Sequence, residues 1–303
     1  VVEPLSLMGA DISGRNGATL APLAINGGKL KGITYQSPVS SAQIKSSIML
    51  AGLYAEGETN VIEPSLSRDH SERMFRFFGA SLDVNNDGVT VRGGVELSAR
   101  EVIVPGDISS ATFFIVAALI TPGSELLIRN VGVNPSRTGA IDILLEMGGD
   151  IKLLDEREVS GEPVADILVR YSSLKGISIS GDVVPRAIDE FPVLCIAAAR
   201  GEGITTIRDA RELRVKETDR IKAISENLRK LGITVTETED GMDITGSERL
   251  LGGVVDSSED HRTAMSMSIA ALVAASEITI TDIDCVATSF PTFFKLMGKT
   301  VSR

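Results

Sequence analysis

The sequence predicts an α/β protein of repeated units, each with strands around a buried helix, grouped into two domains. One observation is an apolar-periodic helix end, then Gly, then a strand start, found five times: "LSLMGADI" around Gly9, "FRFFGASL" around Gly79, "LLEMGGDI" around Gly148, "LRKLGITV" around Gly232 and "FKLMGKTV" around Gly298. Glycine there supplies the left-handed residue that closes a helix, and β-prone residues follow. The intervals of 70, 69, 84 and 66 residues are close to one period, as duplication would leave them. Between the glycines a second pattern falls four times: "PVSSAQIKSSIMLAGLYAEGETNVI", "PGDISSATFFIVAALITPGSELLI", "PRAIDEFPVLCIAAARGEGITTI" and "SSEDHRTAMSMSIAALVAASEITI". Each reads as a Ser- or Asp-led cap, an Ala-rich buried helix, a turn and a β-branched strand. Such units cannot be isolated and must pack on one another.

Taken in order, the chain opens on Val1 inside the apolar-periodic stretch "VVEPLSLMGADI", and its first copy of the unit lacks a buried helix. The first part of the N-terminal domain is therefore expected to be missing. Ser40 and Ser41 lead the next buried helix, "ETNVI" follows as a strand, and "NNDG" at 85–88 marks a hairpin. The segment "VEL…VIVPGD" near 95–107 reads as a crossing between two groups of units. It places the remainder of the first domain at 1–104 and the second domain at 105–303. Asp107, the "AIDEFP" segment and Asp260 lead the later buried helices, and "EDG" at 239–241 marks another hairpin.

Composition narrows the function. A net charge of −11 disfavours a broad nucleic-acid surface while leaving room for one small basic pocket. The longest apolar runs, "IMLAGLYA" and "FFIVAALI", are too short to cross a bilayer, so no membrane span is expected. Cys195 and Cys285 sit among apolar neighbours without the paired spacing of a zinc site or a disulfide framework. They read as reduced cysteines of a cytoplasmic protein with no metal.

The helix leaders are the first candidates for chemistry: Ser40, Ser41 and Gln43; Asp107, Ser109 and Ser110; Asp189 and Glu190; Asp260, His261 and Arg262. Several helix N-termini converging on one cleft would make an anion site, although Ser and Asp are also good caps with no ligand. Two adjacent carboxylates, Asp189 and Glu190, exceed what one cap requires and suit acid–base work. A lone His such as His261 is commonly structural, whereas Arg262 beside it offers a fork for a carboxylate or phosphate. In "LRVKETDRIKAI", a helix beginning near Lys216 would put Lys216 and Arg220 on one face, with Glu217 three residues before Arg220. A solvated ion-pair face explains that spacing. Bases at the N-terminal end oppose the helix dipole, however, which favours a ligand.

"LRVKETDRI", "EDHRTAM", "PVSSAQIKS", "SRDHSERM", "PGDISSA" and "IDEFPVL" together resemble the 5-enolpyruvylshikimate-3-phosphate synthase family over essentially the whole chain. "TSFP" at 288–291 and "SRDH" at 67–70 resemble its class II, glyphosate-tolerant branch. The resemblance implies the two-domain enolpyruvyl transferase fold of repeated βαβαββ units, with buried helices aimed at the interdomain cleft. It implies transfer of the enolpyruvyl group of phosphoenolpyruvate to shikimate 3-phosphate, by addition and then elimination of phosphate. Neither a metal nor an organic cofactor is implied, and a monomer is expected.

Carried over by position, Ser41 and Gln43 resemble shikimate 3-phosphate contacts, with Ala42 between them where many members have a second Ser. Ser67 and Arg68 resemble a further phosphate contact. Asp189 matches the proton acceptor, with Glu190 beside it. Lys216 matches a contact at the phosphate site, and Glu217 the acid that protonates the methylene carbon. Arg220 and Arg262, next to His261, match the pair on the phosphoenolpyruvate carboxylate. Glu212 and Thr288 stand where many members have Asn and Lys. Because family segments lie upstream of Val1, this chain alone is expected to have an incomplete site and little turnover. Two other readings stand: a UDP-N-acetylglucosamine enolpyruvyl transferase, which would need a reactive Cys, and a noncatalytic anion-binding repeat protein.

Overall fold

Ala-rich runs alternating with β-branched runs become helices laid against small sheets in the computed structural model, which describes residues 1–65, 67–85 and 88–300. The chain divides into two units, Val1–Val104 with Glu158–Glu162, and Pro105–Arg157 with Pro163–Arg303.

The first unit is built on a four-stranded sheet in the order Thr34–Gln36, Glu58–Ile62, Gly88–Arg92, Leu82–Asn85. The first two strands are parallel and the rest antiparallel. A parallel pair needs a crossover, and the helix Ala42–Tyr54 supplies it. The helix His70–Phe77 then leads to the hairpin, whose turn residues Asn86 and Asp87 lie outside the described residues. Ile48, Met49 and Leu53 of the crossover helix pack with Val61, Phe75, Val89 and Val91. A separate hairpin pairs Asp11–Gly14 with Leu20–Asn26.

The second unit repeats that plan. The strands Ser178–Ile179, Ile204–Ile207, Met242–Thr245 and Thr234–Glu237 form a sheet with the same parallel-then-antiparallel order. The helix Phe191–Arg200 makes the crossover and Arg220–Lys230 precedes the hairpin. Two further sheets hold Glu125–Gly132, Glu162–Arg170 and Asp150–Val159, and the parallel pair Gly253–Asp256 with Ile278–Thr281. The helices Ile108–Ile120, Phe191–Arg200 and His261–Ala271 pack on one another as the core, with Ile115, Leu119, Leu194, Ile196, Met267 and Ile269 inaccessible to solvent.

Four of the five repeated glycines close their helices as expected, with φ of 99° at Gly9, 93° at Gly79, 93° at Gly148 and 83° at Gly232. Gly298 does not: it lies inside the helix Phe293–Thr300, which continues past it. A helix beginning near Lys216 is also not found. The segment Arg211–Val215 is a short 3-10 turn, and the α-helix starts at Arg220 because the Asp219 carboxylate takes the Lys222 N–H at 3.0 Å. No helix among the described residues is long and apolar enough to cross a membrane.

Gly52 reports how tightly the crossover helix sits on its sheet, since a Cβ there would lie 2.7 Å from Val91 Cγ1 and 2.9 Å from Thr59 Cβ. Gly52→Ala gains ~1 kcal/mol of helix propensity. The overpacking costs ~1–3 kcal/mol, so urea unfolding should show a net loss of stability.

Candidate active site

The second unit gathers its charged candidates around a buried arginine. Asp260 caps the helix His261–Ala271, taking the Arg262 N–H at 3.1 Å and the Thr263 hydroxyl at 3.0 Å. Arg220 then completes the carboxylate with two parallel bonds, Nε to Oδ2 at 2.9 Å and Nη2 to Oδ1 at 3.1 Å. Both side chains are buried, at 1 % and 0 % exposure. Burial pushes the Asp260 carboxyl up, but the Arg220 bonds and charge, with the helix N–H, outweigh it and hold the group below the usual carboxylate range.

The remaining candidates stand around that pair. Glu217, half exposed, accepts from Arg220 Nη2 at 2.6 Å. Asp189 Oδ1 lies 3.9 Å from Arg220 Nη1 and 4.0 Å from Lys216 Nζ. Arg262 Nη1 donates to the Asp189 carbonyl at 3.1 Å. Lys216 also pairs with Glu212. Arg220 Nη1 is buried without a hydrogen-bond partner among the described residues. His261 sits 3.8 Å from Asp260, and burial together with the neighbouring Arg262 pushes its pKa down, favouring the neutral ring. Thr288 faces its own turn, donating to the Cys285 carbonyl at 2.6 Å.

Glu190 differs from Asp189 in surroundings. It begins the helix Phe191–Arg200 without making a side-chain cap, and only 2 % of it is exposed. Ser109 donates to its carboxylate, and Arg137 Nη2 lies 3.5 Å away. Burial is the largest influence on this carboxyl and pushes it above the usual range, against the pull of Ser109 and Arg137.

In the first unit, Ser41 caps the helix Ala42–Tyr54, and the Ile44 N–H reaches its hydroxyl at 3.4 Å. Ala42 and exposed Gln43 form the first turn. Ser40 holds Ser65 through bonds of 2.7 Å and 3.0 Å, which brings the start of the 63–69 segment beside that helix end. Ser67 and Arg68 on this segment are half-buried, and the Ser67 hydroxyl is buried with no partner among the described residues. Below them Lys45, almost fully buried, binds Glu63 at 3.1 Å and Glu72 at 2.7 Å and reaches the Ser67 carbonyl at 3.4 Å.

Sequence reasoning missed Lys45 and Arg137. A lysine inside the apolar run "IKSSIML" was the available signal for the first; Arg137, in "NPSRTG", carries none. Among the described residues, no group of three or more His, Cys, Asp or Glu side chains could hold a metal ion.

Fold and site together define a repeated α/β protein whose second unit presents opposed acids and bases around a buried guanidinium. The model of the EPSP synthase (3-phosphoshikimate 1-carboxyvinyltransferase) family matches residues 1–297, and the chain belongs to that family. Relatives named 3-phosphoshikimate 1-carboxyvinyltransferase agree. That of Pelobacter propionicus is 71% identical over 99% of this chain and 69% of its own length, and that of Geobacter metallireducens 69% identical over 100% and 71%. A solved EPSP synthase of Acinetobacter baumannii superposes with a TM-score of 0.93 at 48% identity, covering 99% of this chain and 69% of that one.

Two predictions follow from the carboxylates. Asp260→Ala strands a buried guanidinium and should cost ~3–5 kcal/mol in urea unfolding. The stability that Asp260 confers is complete above its ordinary pKa of ~3.9 and is lost as pH falls through the lower folded value. Glu190 has the opposite sign: its contribution is complete below ~4.3 and lost as pH rises through the raised folded value. Relative to wild type, Glu190→Gln should therefore gain melting temperature as pH rises above ~4.3, and a constant difference would contradict the assignment.

Proposed function

We propose that the chain transfers the enolpyruvyl group of phosphoenolpyruvate to the 5-hydroxyl of shikimate 3-phosphate and releases phosphate. The observation that carries this reading is the gathering of Asp189, Lys216, Glu217, Arg220 and Arg262 at one place in a member of this family. Addition needs a base for the hydroxyl and an acid for the alkene carbon. Asp189 takes the hydroxyl proton as the oxygen bonds to the central carbon of phosphoenolpyruvate, and Glu217 delivers a proton to the methylene carbon. Elimination then removes a methyl proton, re-forms the carbon–carbon double bond and breaks the bond to the phosphate oxygen.

Cations do the holding. Arg220, through Nη1, and Arg262 bind the phosphoenolpyruvate carboxylate, and Lys216 binds at the phosphate site. In the first unit Ser41, Gln43, Ser67 and Arg68 bind shikimate 3-phosphate, with Ala42 leaving space beside them. Fixed donors oppose the repulsion between two anionic substrates and need no rearrangement as charge develops. The reading takes 1–104 and 105–303 as domains of a cytoplasmic monomer that acts on small molecules, without nucleic acid, metal or organic cofactor.

A reactive cysteine, needed by the UDP-N-acetylglucosamine reading, has no support. Burial raises the Cys195 thiol to about 12, and burial also raises Cys285. The test is phosphate release from the two substrates, measured on the gene product that carries this chain. Asp189→Ala should reduce it by ~100-fold or more while shikimate 3-phosphate still raises the melting temperature. Release that survives the substitution would remove Asp189 from its role. Absence of release from the unsubstituted protein would favour the noncatalytic reading.

A further inference from the structure

Asp189 and Glu190 are adjacent, yet their carboxylates do different things. Asp189 is partly exposed and lies near Lys216 and Arg220, while Glu190 is buried and engages Ser109 and Arg137. The backbone between them is therefore fixed by whatever fixes Glu190.

Arg137 is at the centre of that anchorage. Its Nη2 donates to the Ser109 hydroxyl at 2.5 Å, and the same hydroxyl donates to Glu190 Oε1. The guanidinium is also 3.5 Å from Glu190 Oε1 and 3.7 Å from Asp107 Oδ1, the cap of the helix that carries Ser109. Two separate segments thus meet on one side chain that is only 14 % exposed. The other charges facing Glu190 are Arg262 and Asp189 itself. Without Arg137 the buried carboxylate would keep one neutral donor and only the weaker charge of Arg262, and would rearrange to reach solvent or a proton, moving the residue before it.

We infer that Arg137 is a positioning residue for the transfer reaction, holding Asp189 in place through Ser109 and Glu190. It acts through these residues and not on a substrate: one nitrogen, Nη2, donates to the Ser109 hydroxyl and lies within 3.7 Å of two carboxylates. The inference rests on the proposed role of Asp189.

The experiment uses the gene product that carries this chain, with phosphate release measured per folded molecule and melting temperature followed in parallel. Arg137→Met should lower kcat by ~10-fold or more, as a misplaced reacting group does, with KM for both substrates little changed. Ser109→Ala should act in the same direction. Because the two residues form one chain, the double variant should be no worse than Arg137→Met alone. Arg137→Lys keeps the charge without the fork and should restore part of the loss; with Ser109→Ala it carries the test if the Met variant does not fold.

Unchanged kcat with a lowered melting temperature would mean that Arg137 serves stability only, and would overturn the inference. So would losses from Arg137→Met and Ser109→Ala that multiply. Asp189→Asn separates the two levels: an inactive Asp189→Asn beside a fully active Arg137→Met sinks this inference alone, whereas full activity in Asp189→Asn sinks the proposed role of Asp189 with it.

Discussion

A guanidinium taken out of water has to be balanced where it sits, and Arg220 is balanced by Asp260. With 1 % of Arg220 and none of Asp260 exposed, the pair joins the first turn of Arg220–Lys230 to the cap of His261–Ala271. Replacing such a pair by apolar side chains of equal volume is commonly neutral or stabilising. Its consequence here is geometric: with Nε and Nη2 committed, the guanidinium plane is set and Nη1 is left without a hydrogen bond among the described residues. Glu217, Asp189 and Lys216 take their places relative to that fixed plane.

The same logic separates the two adjacent acids. Burial, outweighing the Ser109 hydrogen bond and the Arg137 charge, makes the Glu190 carboxyl hold its proton more firmly than usual. Asp189 keeps contact with solvent and lies near two cations. One peptide bond separates the partly exposed Asp189 carboxylate from the buried Glu190 carboxyl, and their surroundings set them apart.

Much of the fold was legible because the unit recurs. The helix-closing positions of Gly148 and Gly232 and the capped apolar helices follow from local chemistry repeated along the chain. Gly298 shows the limit, since the same local pattern occurs inside a helix that simply continues. The start at Arg220 was misjudged because "RVKETDRIKAI" has helical charge spacing throughout; Asp219, the cap, was the discriminating residue. The site chemistry around "KETDR" and "DHR" was visible as residue types. Its supports were not, since Lys45 with Glu63 and Glu72, or Arg137 with Glu190, pair across intervals that no local pattern encodes.

Capping also decides how an anion is held. Free helix N-termini attract negative charge, and the sequence suggested four that could act together. At Asp107 and Asp260, however, the chain's own carboxylate already occupies the helix end. Phe191–Arg200 has Pro192 in its first turn, which removes one N–H, and buried Glu190 immediately before it. Of these four, the helix capped by Ser41 begins with a neutral group and an exposed polar side chain, Gln43. On the proposed reading, attraction for an anion in the second unit comes from Lys216, Arg220 and Arg262 as side chains. That makes it depend on how those side chains are held by Asp260, by the Asp189 carbonyl and by Glu217, so that binding strength there is set by the ion-pair geometry and only weakly by helix dipoles.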